Sequence, residues 1–408
     1  MTPFEHPYAH YVAYGSTDQS TFIALRRRYD GLVVPATIAA YQRHGTGGFV
    51  LTLSATSDSP PYVIDPRFPL FQQKLVAPKK SHEALAELLD DPSLVVDRGA
   101  PPATSAFPDA RVQQIARKWV EFNTAYETAN TNSFSKYARR LKEPVREADA
   151  KGPEAILPPY FACGGVDDPW WERSKLLYAE TCAAARETAL PCYRVVCAVD
   201  SSVLDSLISE LARPERIVLW ASGLDEHNVE PAKLVAYRDA IVNAAAQGHA
   251  PFGLYGGFFS VLLGTFGLRG SSHGVGFSEH RAWEELPSAG AAPARYYLRR
   301  AHRYVMQDLA QQLHEASPDL TSCPCPHCND RAPFELDYHE LMKHSVWCRA
   351  EEIAVWAAMD TATAADALQN EFQALTIEIN QAQGIAPATK KKARRSIEHL
   401  PRWVAALS

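Results

Sequence analysis

Three of the chain's eight cysteines lie within six residues, in the segment TSCPCPHCND that spans 321–330. Cys323, Cys325 and Cys328 can direct their sulfur atoms at one ion only where the backbone turns tightly, and the two intervening prolines favour such a turn. Cysteines at this spacing are typical zinc ligands, particularly in a chain whose other cysteines are scattered. We therefore predict a metal site at this cluster.

Tetrahedral zinc needs a fourth ligand. The segment LDYHELMKHSVWCRAEEI offers candidates at helical spacing in His344, Cys348 and His339, of which we favour His344 and then Cys348, one turn further on the same face. We expect His327, inside the turn, to point away. Because four protein ligands would close the coordination sphere, the predicted cofactor is a structural Zn²⁺ and not a catalytic one.

Residue types suited to acid–base and anion-binding chemistry follow several short apolar runs. The stretch GSSHGVGFSEHR combines His273, Glu279 and Arg281, which could supply an acid or base, a carboxylate and an anion clamp. Asp65 and Arg67 follow the apolar run YVI in the same way. If these runs are parallel strands, their carboxyl ends share one face, and that face is where we expect these side chains.

Two further strand ends carry candidates. Asp200 closes YRVVCAVD, and Tyr255 precedes the pair Gly256 and Gly257 in PFGLYGG. Glycine in a strand marks a place where a ligand can approach the backbone, and Tyr255 could stack on a planar base. Other aromatic residues that could contribute to such a pocket are Phe258, Tyr296 and Tyr297.

The elements that must position these residues alternate along the chain. Short β-branched and aromatic runs alternate with longer segments of helical period, which indicates parallel strands joined by crossover helices. About eight such units favour an α/β fold of the (β/α)8 TIM-barrel type, since neither GxGxxG nor GxxxxGK[ST] occurs to indicate an open nucleotide-binding sheet. The predicted strands are 31–36, 47–54, 60–65, 155–163, 193–200, 216–222, 251–257, 273–277 and 295–298.

Composition excludes several other classes of protein. With 408 residues, 46% of them hydrophobic and 22% charged, the chain is long and apolar enough for a sizeable folded core. The net charge of −6 disfavours a surface that is basic throughout, although 390–395 is a local basic run. No stretch approaches the roughly 18–20 apolar residues of a membrane span, and the N-terminus lacks a signal-peptide pattern. We expect a cytoplasmic protein with no membrane partner.

The character of the sequence changes after residue 318. Cysteines and histidines crowd together, and 349–382 is rich in alanine, glutamate and glutamine with helical period. We therefore predict a (β/α)8 barrel over 1–318 and a zinc-binding, helical C-terminal subdomain over 319–408.

A barrel, the LYGG of 254–257 and a CxCxxC motif followed by a helix-borne histidine resemble the tRNA-guanine transglycosylase superfamily, including relatives that insert deazaguanines into DNA. The motifs cover about 250–350, and the rest of the chain is similar in element order. The resemblance implies a pentosyltransferase that exchanges a guanine-type base, such as queuine or another deazaguanine, with the base held against the glycine pair Gly256 and Gly257. The zinc ligands that it implies are Cys323, Cys325, Cys328 and His344.

The chain departs from that family at the nucleophile. The family's aspartate lies on the strand after the glycine pair, in a phrase that ends in proline and arginine, whereas the comparable region here is GSSHGVGFSEHR. Glu279 is the nearest carboxylate. The attacking group is therefore Glu279 or an earlier acid such as Asp65, or the chain catalyses another reaction, or it binds without catalysis.

Base exchange at a glycosidic bond requires two groups. One carboxylate must attack or stabilise the sugar carbon, for which Asp65 and Glu279 are candidates, and a second group must protonate the departing base. Candidates for that second role are Asp200, Asp225 and His273. Arg67, Tyr255 and Arg281 would bind substrate.

Three functions are compatible with these residues. The first is a transglycosylase-like enzyme whose partners are tRNA or DNA and a purine-type base. The second is a small nucleoside-directed hydrolase or lyase, and the third is a non-catalytic nucleic-acid-binding or partner subunit in a homo- or hetero-oligomer.

Overall fold

Eight parallel strands form one curled sheet in the computed structural model, which describes residues 8–96, 99–276, 279–285, 293–329 and 331–408. The strands are β1 (Ala9–Ala13), β2 (Gly31–Pro35), β3 (Tyr62–Asp65), β4 (Ala162–Cys163), β5 (Arg194–Ala198), β6 (Arg216–Ala221), β7 (Ala250–Gly253) and β8 (Gly270–His273). Their order in the sheet is β3-β2-β1-β8-β7-β6-β5-β4, and each neighbouring pair is parallel. The predicted α/β fold with a parallel sheet is confirmed.

The segment that precedes β4 lies between the two ends of this strand order. Its residue Ile156 forms isolated parallel bridges with Ile64 of β3 and with Cys192, just before β5. The inside of the curl is filled by side chains, as where the ring of Tyr11 packs edge-on against that of Phe252 at 5.3 Å. The interior of the sheet is therefore a packed core, not a channel.

Most predicted strands occur near their expected positions, but one prediction is wrong. The run 47–54, GGFVLTLS, belongs to a helix that spans Arg43–Ser54 and is buried over most of its length. A short apolar run without alternation is equally compatible with a buried helix and a buried strand. The first strand of the sheet, Ala9–Ala13, was not among the predicted strands, because it is short and mixes polar with apolar residues.

The last predicted strand is outside the parallel sheet. Strand β9 (Arg295–Leu298) pairs antiparallel with β10 (Arg303–Met306) in a separate hairpin. His302 closes the turn in the left-handed region, with φ of 51°. The hairpin adjoins the metal-ligand candidates through Tyr297, and its Tyr304 hydroxyl also bonds the backbone of Gly274 and Gly276 just after β8.

Helices cover the outer face of the sheet and form the C-terminal region. None of the helices in the described ranges is both long and apolar enough to cross a membrane. The helices are α1 (Gln19–Ala24), α2 (Ala36–Tyr41), α3 (Arg43–Ser54), α4 (Lys80–Leu88), α5 (Asp109–Thr124), α6 (Tyr126–Ala129), α7 (Phe134–Leu141), α8 (Pro169–Ala184), α9 (Leu204–Ser209), α10 (Pro231–Ala246), α11 (Phe258–Leu262), α12 (Gln307–Ala316), α13 (Tyr338–Trp356), α14 (Thr361–Gln381), α15 (Pro387–Arg395) and α16 (His399–Leu407).

The C-terminal helices pack directly on the helices around the sheet. On α16, Trp403 is fully buried, and its indole N–H donates to the Glu226 carbonyl oxygen at 2.7 Å. Arg238 of α10 donates to the Ala406 carbonyl oxygen at 2.7 Å. One continuous cluster of buried side chains includes residues from both sides of position 318, so the boundary proposed there is crossed by core packing.

Candidate functional site

The predicted metal ligands lie together and are buried. The ligand atoms of Cys323, Cys325, Cys328 and His344 lie within 4.8 Å of one another. Nδ1 of His344 lies 3.7, 3.4 and 3.0 Å from the three sulfur atoms in that order. Tetrahedral ligands about 2.0–2.3 Å from zinc lie roughly 3.5–3.8 Å apart, so the group has about the right size. It could hold a metal ion such as zinc.

The local structure also suits metal binding. Asp337 caps α13 by accepting a hydrogen bond from the backbone N–H of Glu340, which fixes the helix that carries His344. Nε2 of His344 lies 2.7 Å from the carbonyl oxygen of Tyr297 on β9. Because a carbonyl can only accept, Nε2 carries a proton, and Nδ1 is the nitrogen that faces the three sulfur atoms.

The other candidate fourth ligands occupy different positions. Nδ1 of His339 lies 3.2 Å from the Ser20 hydroxyl on the surface. Sγ of Cys348 lies 3.6 Å from Sγ of Cys323 and 3.5 Å from Nδ1 of His344. Cys348 thus lies beside the four-residue group as an additional possible sulfur ligand, whereas His339 contacts Ser20 on the surface.

A second feature is a cavity of about 150 Å³ at the carboxyl ends of the strands. Loops that follow β2, β3 and β8, together with the end of β6, form its wall. The carboxyl-end face is where parallel α/β sheets place their ligand sites. The lining residues are Thr37, Ile38, Arg67, Leu70, Lys79, Ser81, His82, Trp220, Arg281, Trp283 and Glu285.

Asp65 lies directly behind this wall, at the end of β3. Its carboxylate is 0% exposed and accepts hydrogen bonds from the hydroxyls of Tyr160 and Tyr255, each at 2.7 Å. The backbone N–H of Arg67 donates to it at 3.1 Å, and the Arg67 guanidinium lies 3.6 Å away. Nε of Arg67 also donates to the Tyr255 hydroxyl at 2.9 Å. Two hydroxyls, one backbone N–H and one guanidinium therefore hold the Asp65 carboxylate in place.

Two residues around Asp65 have unusual backbone conformations. Arg67 has φ of 49° and Tyr255 has φ of 58°, both in the left-handed region that is costly for side chains with a Cβ. Such residues cluster at functional sites, where the surrounding structure maintains them. The Tyr255 backbone is held by the Ser272 hydroxyl, which accepts its N–H at 3.0 Å.

Arg281 and Trp283 complete the cavity wall after β8. The Arg281 guanidinium lies 5.8 Å from the centre of the Tyr255 ring, and burial together with nearby Arg67 lowers its pKa. The indole N–H of Trp220 donates to the Arg281 carbonyl oxygen at 3.1 Å, which orders this loop. Burial and nearby Lys79 lower the pKa of His82 to about 4, so the lining imidazole is neutral near pH 7.

The predicted catalytic residue His273 has protein partners of its own. His273 is buried, donates from Nδ1 to the Gly256 carbonyl oxygen at 3.0 Å and contacts the Ser271 hydroxyl through Nε2 at 2.8 Å. Burial, then the charge of Arg349, lowers the pKa of His273 well below its usual value. A neutral His273 therefore braces the strand end beneath the glycine pair.

The remaining two carboxylates are paired with cations. Glu279 is 7% exposed and contacts the guanidinium of Arg349 on α13. Asp200 accepts the N–H of Ser202 at 3.0 Å and pairs with Lys233 at 2.5 Å on the surface. Neither side chain lines the cavity.

The predicted glycine pair is packed against protein. A Cβ on Gly256 would lie 2.6 Å from the Ser260 hydroxyl oxygen, and a Cβ on Gly257 would lie 2.6 Å from a Glu226 carboxylate oxygen. Glu226 in turn accepts hydrogen bonds from the N–H groups of Phe259 and Ser260 at the start of α11. Close packing against protein atoms is therefore enough to explain why glycine occupies both positions, and no bound ligand is needed to explain it.

A larger cavity of about 770 Å³ lies at the opposite end of the sheet. It adjoins Pro60 and Pro61 before β3, and its wall includes Glu127, Lys151 and Glu154. Its amino-end position is associated with stability in such folds, and reactive groups sit at the other face. The smaller cavity is therefore the candidate site.

Sequence reasoning missed several residues at the cavity. Tyr160, two residues before β4, donates to Asp65, and Trp220 and Trp283 add aromatic rings to the cavity wall; Trp220, next to the last residue of β6, is the one that strand-end position could have identified. Two aromatic residues suggested for a base pocket lie elsewhere: Tyr296 stacks on His344 at 4.5 Å, and Tyr297 donates to Glu352 at 2.8 Å.

No protein-family model, curated protein or solved structure matches the chain.

Proposed function

We propose that the chain exchanges a guanine-type base in tRNA or DNA by transglycosylase-like chemistry, with Asp65 as the reacting carboxylate. The observation that carries this proposal is the convergence of Asp65, Arg67 and Tyr255 behind the cavity at the strand ends. Of the four predicted catalytic side chains, Asp65 alone contacts residues of that cavity wall. The ring-bearing wall residues Trp220 and Trp283 suit a planar base.

In this mechanism Asp65 attacks or stabilises the sugar carbon as the base departs. The two tyrosine hydroxyls and Arg67 fix the orientation of the carboxylate. Since Asp65 is buried in this conformation, Arg67 and Tyr255 must move aside when substrate binds. Their left-handed backbones are the places where that movement would release strain.

The proposed framework is a closed (β/α)8 barrel. The two bridges of Ile156 support closure, because they connect the β3 edge with the β5 side through the segment before β4. Closure would bring the loops after β3 and β6 to one mouth, as the cavity requires.

The metal in this proposal is a structural zinc. Cys323, Cys325 and Cys328 would hold it with Nδ1 of His344, and it would tie their turn to α13. The hydrogen bond from His344 to Tyr297 extends the tie to the β9–β10 hairpin. The group lies away from the cavity lining, so its contribution is to folding.

The test is incorporation of labelled guanine into tRNA and into DNA by wild type and Asp65→Asn. We expect the variant to lose at least about 100-fold in rate, because an amide cannot serve as the charged group. Asp200→Asn is the matched control and should keep the wild-type rate, since Asp200 is paired on the surface. A wild-type rate in Asp65→Asn would overturn the proposal.

A second candidate is a nucleic-acid-binding subunit without catalysis of its own. It is favoured by the full burial of Asp65 and by the pairing of Glu279 with Arg349. This function would be supported over base exchange by two results together. None of the three proteins, wild type, Asp65→Asn and Asp200→Asn, would exchange the base, and all three would bind tRNA or DNA with a steep salt dependence.

A further inference from the structure

The cavity of about 150 Å³ at the carboxyl ends of the strands is called the mouth cavity below. Two hydrogen-bond donors in its wall have no acceptor. Within the described ranges, the Arg281 guanidinium makes no hydrogen bond and no ion pair; its contact is with the face of the Tyr255 ring. The indole N–H of Trp283 is buried and has no hydrogen-bond partner among the same residues. Buried donors are almost always satisfied in folded proteins, so the Trp283 N–H calls for an acceptor, and the half-buried Arg281 guanidinium on the same wall can donate to it as well.

Among the described residues, neither carboxylate near the cavity accepts a hydrogen bond from these donors. Asp65 is already engaged by two hydroxyls, the backbone N–H of Arg67 and its guanidinium. Glu285, the one carboxylate among the lining residues, is exposed. Because guanidinium groups stay charged, Arg281 remains a cation in a partly dehydrated place beside a second cation.

The balance of charge around the cavity is positive. Arg67, Lys79 and Arg281 contribute three cations to the lining, against one lining carboxylate, and Asp65 lies behind the wall. Neighbouring loops rather than distant surface lysines provide these cations, so they would act on the same ligand. A ligand with an anionic acceptor group meets both the charge and the unsatisfied donors.

We propose that Arg281 and the Trp283 N–H form a subsite for the phosphate of the nucleotide whose base enters the cavity. This inference rests on the proposed base exchange and names its substrate as a phosphorylated nucleotide unit. A guanidinium binds a phosphate through two parallel hydrogen bonds, and an indole N–H can add a third. The phosphate belongs either to a free mononucleotide or to a phosphodiester within a strand.

The size of the cavity is consistent with an enclosed base and a phosphate at the edge. Its volume of about 150 Å³ is below the ~300–1,000 Å³ of sites that enclose drug-sized ligands. One ring can be enclosed while the charged group remains at the edge, where the loop after β8 carries Arg281.

The experiment is calorimetric titration of guanosine, guanosine 5′-monophosphate and a short single-stranded oligonucleotide into the full chain. Wild type should bind at least one phosphorylated ligand about 10-fold or more tightly than guanosine, as expected for a charge-assisted contact. Arg281→Gln should remove that preference, and Trp283→Phe should reduce it several-fold. Arg146→Gln is the matched control, since Arg146 is exposed and paired with Asp149.

The outcomes separate the sources of phosphate. Tighter binding of the mononucleotide alone supports a free nucleotide, and tighter binding of the oligonucleotide alone supports a strand. Equal binding of guanosine and both phosphorylated ligands, or an unchanged preference in folded Arg281→Gln, would overturn the subsite. Binding is measured without turnover, so a phosphate preference that persists in a chain inert in base exchange would contradict the proposed function and leave the subsite standing.

Discussion

The metal-ligand group and the mouth cavity are both clusters of polar side chains, but they are built in opposite ways. The first brings together donors from 323–344, a single stretch of chain, and their atoms face one another. The second collects side chains from loops after several strands, and its atoms partly face empty space. The metal-ligand group is buried and has room for no more than an ion. In the cavity, by contrast, the donors of Arg281 and Trp283 are available to a bound ligand.

The two regions are joined by one buried ion pair. Glu279 lies two residues before Arg281, and its partner Arg349 lies on α13 five residues after His344. Tyr297 and His302 contact the neighbouring Glu352, so the hairpin is drawn into the same polar network. Perturbing the metal region should therefore affect the whole fold, whereas perturbing the cavity should affect its ligand.

The largest expected effect comes from the metal-ligand group. Cys325→Ser should abolish stoichiometric metal and lower the free energy of unfolding by several kcal/mol, because metal affinity and folding share one free energy. Elemental analysis and denaturant unfolding of the purified chain measure both quantities. Cys182→Ser, a partly exposed thiol on α8, is the control and should keep the metal. Unchanged metal content in Cys325→Ser would refute the site.

The ion pair between the two regions should come next. Glu279→Gln leaves the buried Arg349 with Glu352 at 3.3 Å as its remaining carboxylate, and the loss of one partner from a buried pair costs about 3–5 kcal/mol. Urea unfolding would measure the difference. Arg146→Gln, at an exposed pair that solvent screens, should leave the free energy of unfolding close to that of wild type. Equal effects of the two variants would show that the regions are not coupled through Glu279.

The network on the metal side should respond to pH through His302. Burial alone would lower its pKa, but the carboxylates of Glu371 and Glu352 raise it to about 9. A raised folded pKa means that its stabilisation is complete below the unfolded value of about 6.5 and is lost as pH rises through 9. We expect up to about 3 kcal/mol less stability at pH 10 than at pH 6. The free energy of unfolding of His302→Asn should not show this loss between pH 6 and pH 10. The same pH dependence of stability in wild type and His302→Asn would contradict the role of His302.

The smallest effect concerns the cavity itself. Trp283→Phe should cost less than about 1 kcal/mol of stability in hydrogen bonding, because the indole N–H has no partner to lose. Trp119→Phe is the matched comparison, because the indole N–H of Trp119 donates to the buried Leu157 carbonyl oxygen at 2.7 Å. We expect this variant to lose about 1–3 kcal/mol more stability than Trp283→Phe. Thermal unfolding of both variants decides whether the Trp283 donor is reserved for a ligand.

The same contrast explains what could be predicted from the sequence. The metal ligands were predictable because three of them lie within six residues and the fourth is on the next long helix. Parallel strands such as Arg194–Ala198 were predictable because buried β-branched runs have few alternatives. The run 47–54 was not, since an apolar run without alternation does not distinguish a helix from a strand.

The cavity was predictable only in part. Strand-end position identified Asp65, Arg67 and Arg281, but the same criterion selected Glu279 and Asp200, whose cationic partners lie 70 and 33 residues away in the chain. Such pairings depend on tertiary contacts that no local pattern encodes. The contact of Tyr160 with Asp65 joins residues 95 apart for the same reason.

The central claim is that the mouth cavity is the place where a nucleotide binds and reacts. Its most direct test is a crystal structure of the chain with guanosine 5′-monophosphate. We expect the base in the cavity beside Trp220 and Trp283, with the phosphate on Arg281. A nucleotide bound elsewhere on the chain, with the cavity left empty, would contradict it.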